Sequence, residues 1–187
     1  MNTLILGIGN LLLSDEAVGV RIVERLERDF RFPEGVELMD GGTAGMELME
    51  YMASRDHLIV ADAVLSDSAP GSVITLCDDE VPAFFSRKIS PHQLGLCDVL
   101  SALHLTDEFP QRLTLVGVVP ESLEPHIGLT SVIEAAIPVA MDRIVQLLRN
   151  DGCQRCSYCG WKRPVKRVME RGRRAPHGHH RPKRGAL

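Results

Sequence analysis

Short apolar runs, three of them closed by glycine or an acid and most followed by a helix-patterned segment, constrain this chain more than any other feature. Thr3-Leu4-Ile5-Leu6-Gly7-Ile8-Gly9 is almost wholly apolar and ends in glycines. Such a run suits a strand buried on both faces and followed by a tight turn. From Glu16 or Ala17 to about Arg31, Val18, Ile22, Val23 and Leu26 recur at helical spacing, and Pro33 and Gly35 close the unit. Val36-Glu37-Leu38-Met39 reads as a second strand, ended by Asp40-Gly41-Gly42, with a helix from about Gly45 to Ser54 behind it. His57-Leu58-Ile59-Val60-Ala61-Asp62 is a third strand with an acid at its end, and Ser72 to Leu76 a fourth. Residues 77–91 read as irregular, with Pro82 and Pro91 as breakers. Pro91-His92 opens a helix to about Leu103, Leu113 to Val119 forms a fifth strand, and a last helix covers about Ser131 to Leu148, with a kink expected at Pro138. This order predicts an α/β fold: a twisted, mostly parallel five-stranded sheet flanked by helices on both faces, a three-layer sandwich.

Charge divides the 187 residues into two parts. Residues 1–150 carry 10 Lys+Arg against 23 Asp+Glu, whereas residues 151–187 carry 11 against 2. The expected organisation is therefore an acidic folded body over 1–150 and a basic tail over 151–187. The acidic body argues against a nucleic-acid-binding protein, although the tail alone has the charge to meet a polyanion. Without periodicity after Trp161, the tail is expected to be disordered or only locally ordered. It holds Cys153, Cys156 and Cys159 at C-x2-C-x2-C spacing, with His177, His179 and His180 beyond. That set has the chemistry for zinc or nickel but lacks a second C-x2-C pair. Cys77 and Cys97 sit in apolar sequence and are expected to be buried free thiols. No uninterrupted apolar stretch of about 18 residues is present, and Met1-Asn2-Thr3 has no basic start. A cytoplasmic protein without a membrane partner is the expectation.

Ligands of open α/β sheets bind beyond the carboxyl ends of the strands. Asp15 and Glu16 follow the first strand, Asp40 the second, Asp62 the third, and Glu121, Glu124 and His126 the fifth, while His92 begins a helix after the fourth. Two carboxylates and an imidazole, as in Glu16, Asp62 and His92, suit a borderline divalent ion such as nickel or zinc and leave positions open for water or a partner's ligand. Each residue also has a plainer reading. Glu16 can serve the helix dipole, Asp62 can cap a turn, and His92 can be a surface residue at a helix start. Asp40 either stabilises its glycine turn or orients a substrate group. Gly7-Ile8-Gly9 opens like a dinucleotide fingerprint, but Leu12 stands where the third glycine belongs. There is no G-x-S-x-G and no H-E-x-x-H, so a hydrolase here would be metal- or carboxylate-assisted.

Five stretches together resemble the nickel–iron hydrogenase maturation endopeptidases. They are Leu6-Gly7-Ile8-Gly9-Asn10 with Asp15-Glu16-Ala17-Val18-Gly19; Asp40-Gly41-Gly42-Thr43-Ala44-Gly45; Ile59-Val60-Ala61-Asp62-Ala63; Ser90-Pro91-His92-Gln93; and Leu115-Val116-Gly117-Val118-Val119-Pro120-Glu121. Ser90 to Leu96 is similar to the branch acting on a hydrogenase 2-type large subunit. The resemblance implies metal ligation by Glu16, Asp62 and His92. From the ligand chemistry, Glu16 and Asp62 are then the candidate catalytic carboxylates, with Asp40 in an auxiliary catalytic role. It also implies a nickel-loaded large-subunit precursor as partner, nickel being carried by that precursor, and removal of a short C-terminal peptide after nickel insertion. A nickel-dependent chaperone that binds the precursor without cutting it would share the same three residues.

Overall fold

The computed structural model describes residues 1–85 and 91–152. Its five strands are β1 (Thr3–Ile8), β2 (Val36–Gly42), β3 (His57–Ala63), β4 (Val73–Cys77) and β5 (Arg112–Val118). They form one sheet in the order β2-β1-β3-β5-β4. All neighbours pair parallel except β4, which runs antiparallel along the edge of β5. The helices are α1 (Val18–Asp29), α2 (Met49–Met52), α3 (Glu80–Phe85), α4 (Pro91–Leu105) and α5 (Ser131–Gly152), with 3-10 turns at Ser14–Ala17 and Met46–Leu48. The expected α/β sandwich is therefore the observed architecture. Among the described residues no helix is long and apolar enough to cross a membrane.

Side-chain alternation along the central strands feeds two cores. Ile5, Ile59, Ala61, Val116 and Val118 point to one face and pack with Val18, Ile22 and Leu26 of α1 and Ile133, Ile137 and Ile144 of α5. Leu4, Leu6, Leu58, Val60, Leu113 and Leu115 point to the other and pack with Leu96, Val99, Leu100 and Leu103 of α4. Both faces of β1, β3 and β5 are thus covered, which is why their sequences are continuous apolar runs rather than alternating ones.

Three local readings need correction. Residues 77–91 are not all irregular, since α3 occupies Glu80–Phe85. Pro82 lies in its first turn, where the missing N–H has no intrahelical acceptor to lose. The helix expected over Gly45–Ser54 shrinks to a 3-10 turn and the four residues of α2, and Ser54 with φ of 55° prevents its continuation. Cys77 is exposed at the end of edge strand β4, not buried, while Cys97 is half-buried and burial pushes its thiol pKa up. The cysteines and histidines of the tail lie outside the described residues.

The last helix runs to Gly152, beyond the expected Leu148, because its end is tethered. Asp151 pairs with both His57 and Arg112 at the amino ends of β3 and β5. His57 is buried, and its Nε2 lies 2.7 Å from the Thr114 hydroxyl. A neutral ring satisfies both partners: Nδ1–H donates to Asp151 and Nε2 accepts from Thr114. Burial first, and then the charge of Arg112, push the His57 pKa from 6.5 down to about 4, against an opposing pull from Asp78. The unfolded chain therefore takes up this proton before the folded one does. The resulting stability is complete above about pH 6.5 and declines as pH falls toward 4. Urea midpoints measured across that interval should fall for the parent chain, and a His57→Gln chain should show a shallower slope.

Candidate functional site

The strand order reverses at β1. Its successor β2 lies on one side and β3 on the other, so a crevice opens between the carboxyl ends of β1 and β3. Asp62 is the penultimate residue of β3 and is fully buried. Its Oδ1 accepts the Ala63 N–H at 2.8 Å. Glu16 sits on the 3-10 turn that leaves β1, half-buried, and that turn packs directly against β3. Two glycines make this approach feasible. A Cβ on Gly9 would stand 2.0 Å from the Glu16 carbonyl oxygen. One on Gly19 would stand 2.1 Å from the Ala61 oxygen and 2.3 Å from the Ile8 oxygen. All three obstacles are backbone atoms, so neither position admits a side chain without moving the α1 entry away from the strands.

Asp40 belongs to the same edge but is exposed. The β1–β2 register steps from Gly7↔Asp40 to Ile8↔Gly42, leaving Gly41 as a bulge. Asp40 Oδ1 accepts the Gly42 N–H across it at 2.8 Å, and the Gly42 carbonyl in turn accepts Gly9 N–H at 2.9 Å. Asp40 therefore holds the turn on which the β1 exit rests. His92 is the second residue of α4. The start of α4 runs beside the Met46–Leu48 turn that follows β2, which puts it near the same edge of the sheet. The His92 side chain lies outside the described residues. Among the described residues no group of three His, Cys, Asp or Glu is gathered closely enough to hold a metal.

Asp15 is the residue whose part the sequence reading missed. It is fully buried. Its Oδ2 accepts N–H groups of Glu121 and Ser122, each at 3.0 Å, and the Thr130 hydroxyl at 2.9 Å. Its Oδ1 accepts the Thr130 N–H at 2.8 Å. One carboxylate thus fixes both ends of the loop that follows β5, next to the turn bearing Glu16. Ser14, with φ of 50°, adds a hydroxyl bond to the Glu124 carbonyl, and Leu13 bridges His126 in parallel. Glu121, Glu124 and His126 are all exposed on this loop. Nothing in the local sequence marks Asp15, because its partners lie more than 100 positions away.

Comparison with known proteins agrees with this geometry. A family profile described as hydrogenase maturation protease matches residues 20–147. The chain is 61% identical over 155 residues to the hydrogenase 2 maturation protease of Escherichia coli K12, covering 82% of this chain and 94% of that protein. It is 45% identical over 151 residues to the hydrogenase expression/formation protein HoxM of Azotobacter vinelandii, covering 78% and 73%. The solved structure of the hydrogenase maturating endopeptidase HybD from E. coli superposes with a TM-score of 0.79 at 61% identity, over 81% of this chain and 94% of that one. By family profile, by sequence identity and by fold, the chain belongs to the hydrogenase maturation proteases, as an endopeptidase of the hydrogenase 2-type branch.

Proposed function

We propose that this endopeptidase removes the C-terminal peptide of a nickel–iron hydrogenase large-subunit precursor after nickel has been inserted, and that the nickel is what it recognises. The observation that carries the reading is the buried Asp62 carboxylate with the Glu16 turn packed against its strand, at the edge where α/β sheets bind ligands. A carboxylate in such a place is costly to bury unless it has cationic or donor partners. In this reading Glu16, Asp62 and His92 ligate the nickel that arrives with the precursor, while the precursor's own thiolates keep the remaining positions. Mixed carboxylate, imidazole and thiolate donors suit that ion. Either the metal or one of the carboxylates then activates water at the scissile carbonyl. Asp40, through the bulge it holds, orients the peptide beside them. The cytoplasm is the compartment this reading assigns, and the free thiols Cys77 and Cys97 accord with a reducing environment.

The deciding measurement is the intact mass of a purified large-subunit precursor, nickel-loaded and nickel-free, before and after incubation with the full chain. Loss of one C-terminal peptide from the loaded form alone is the expected result. Equal cleavage of both forms would remove nickel as the recognition element. A stable complex with unchanged mass would replace cutting by a chaperone role.

A further inference from the structure

The loop pair beside the crevice is ordered in an unusual way. Loops commonly gain order by folding their apolar side chains inward. Here order comes from polar anchors: the four bonds to Asp15, the Ser14 hydroxyl, and the backbone bridge in which Ser14 N–H donates to His126 and His126 N–H to Leu12. Leu129 packs against the core and Leu13 is half-buried, but four other large apolar side chains of these loops stay outside. Leu12 is 62% exposed and Ile127 69%, with Leu11 and Leu123 at 38% and 39%. The bridge places residue 12 beside residue 126, so Leu12 and Ile127 belong to one ridge. Leu65, just past the end of β3, is also exposed at this edge. Single exposed leucines need no explanation, but a group on one rigid ridge marks an interaction surface.

We infer that the ridge of Leu11, Leu12, Leu123 and Ile127 is the docking surface for the folded body of the precursor. It supplies binding from protein surface remote from the bond being cut. The inference rests on the proposed function, since it takes that precursor as the partner. Three observations select a polypeptide substrate over other occupants. The chain is an endopeptidase, so a polypeptide must reach the edge that Glu16 and Asp62 share. The ridge is continuous with that edge through consecutive residues, Leu12 to Glu16. And the ridge is held rigidly while unpaired, which lowers the ordering cost of binding. The neighbouring exposed carboxylates Glu121 and Glu124 give it an acidic rim, suited to a partner with basic groups around an apolar centre.

The test uses the full chain and a nickel-loaded large-subunit precursor, with peptide release followed by mass against precursor concentration. A Leu12→Gln/Ile127→Gln chain should melt at the parent temperature or slightly above it. Its KM should rise about tenfold or more, as expected for loss of central apolar anchors, while kcat stays within about twofold of the parent, the pattern of lost uniform binding. Leu105→Gln, changing a side chain 89% exposed at the far end of α4, controls for loss of any exposed leucine and should leave KM unchanged. Should the double variant fail to fold, each single substitution is read in the same way, with a smaller rise expected. An unchanged KM in a folded variant would overturn the inference and leave the proposed function standing. A parent dimer that the double variant converts to monomers, with KM unchanged, would assign the ridge to a second copy instead and overturn it too. No peptide release by the parent chain would overturn the proposed function, and the inference with it.

Discussion

An Asp62→Asn chain should fold and melt like its parent and yet process nickel-loaded precursor at least about 10³-fold more slowly. The substitution keeps the shape of a fully buried side chain and keeps a carbonyl oxygen for the Ala63 N–H. What it removes is the negative charge at the carboxyl end of β3. If that charge ligates the metal or activates water, its loss removes several kcal/mol of transition-state stabilisation, and each 1.36 kcal/mol is about tenfold in rate. The measurement pairs a thermal melt with the initial rate of peptide release. A well-folded Asp62→Asn chain that processes at the parent rate would sink the role given to Asp62.

Replacing Asp15 by Ala should have the opposite signature, a large loss of stability. The change leaves three N–H groups and a hydroxyl without their acceptor, around a side chain that is itself fully buried. Bonds to a charged acceptor are the stronger kind, and stranded buried donors carry a desolvation penalty. Allowing for partial entry of water, the expected cost is about 3–5 kcal/mol. For a domain of this size that lowers Tm by about 10 °C. Asp15→Asn is the graded comparison. Its carboxamide keeps one acceptor oxygen but turns a donor toward donors, so its loss should be smaller. Hydrogen exchange should locate the damage in residues 119–130. A melt within about 2 °C of the parent would show that the loop is held by something other than Asp15.

How much of this was legible beforehand depended on whether the cause was local. Strands β1, β3 and β5 could be read because burial on both faces writes itself as an unbroken apolar run. The acid near the end of β3 stands out against that run, which is why Asp62 can be singled out as a candidate. Edge strands obey weaker rules. β4 has its end in solvent, and Cys77 was misread as buried because apolar neighbours in sequence were taken for apolar neighbours in space. Helix α3 was hidden by Pro82, a breaker in a helix interior but harmless in a first turn. The end of α5 was set by Asp151 reaching His57 and Arg112, contacts that no periodicity reveals. Asp15 is the strongest case: beside Glu16 it looks like one more acid at a helix start, and only the return of residues 121–130 gives it partners. In the site itself, Glu16 and Asp62 lie at the same edge of the sheet, as their places after β1 and at the end of β3 imply, and Asp40 bonds within its glycine turn, which is a bulge of β2.

The parallel order of the sheet also governs when the enzyme comes into being. β1 pairs β3 through Thr3↔His57, and β3 pairs β5 through His57↔Arg112, each link spanning more than fifty residues of chain. Such distant pairings must overcome loop-closure entropy before any contact rewards them, and they form slowly. The crevice needs the first link, and the loop anchored by Asp15 needs the second. A chain emerging from the ribosome has Glu16 and Asp62 long before it has residues 121–130 to lock beside them. The edge that carries Glu16 and Asp62 therefore gains its neighbouring loop only when β5 has joined the sheet, so the last strand to pair is the one that completes it.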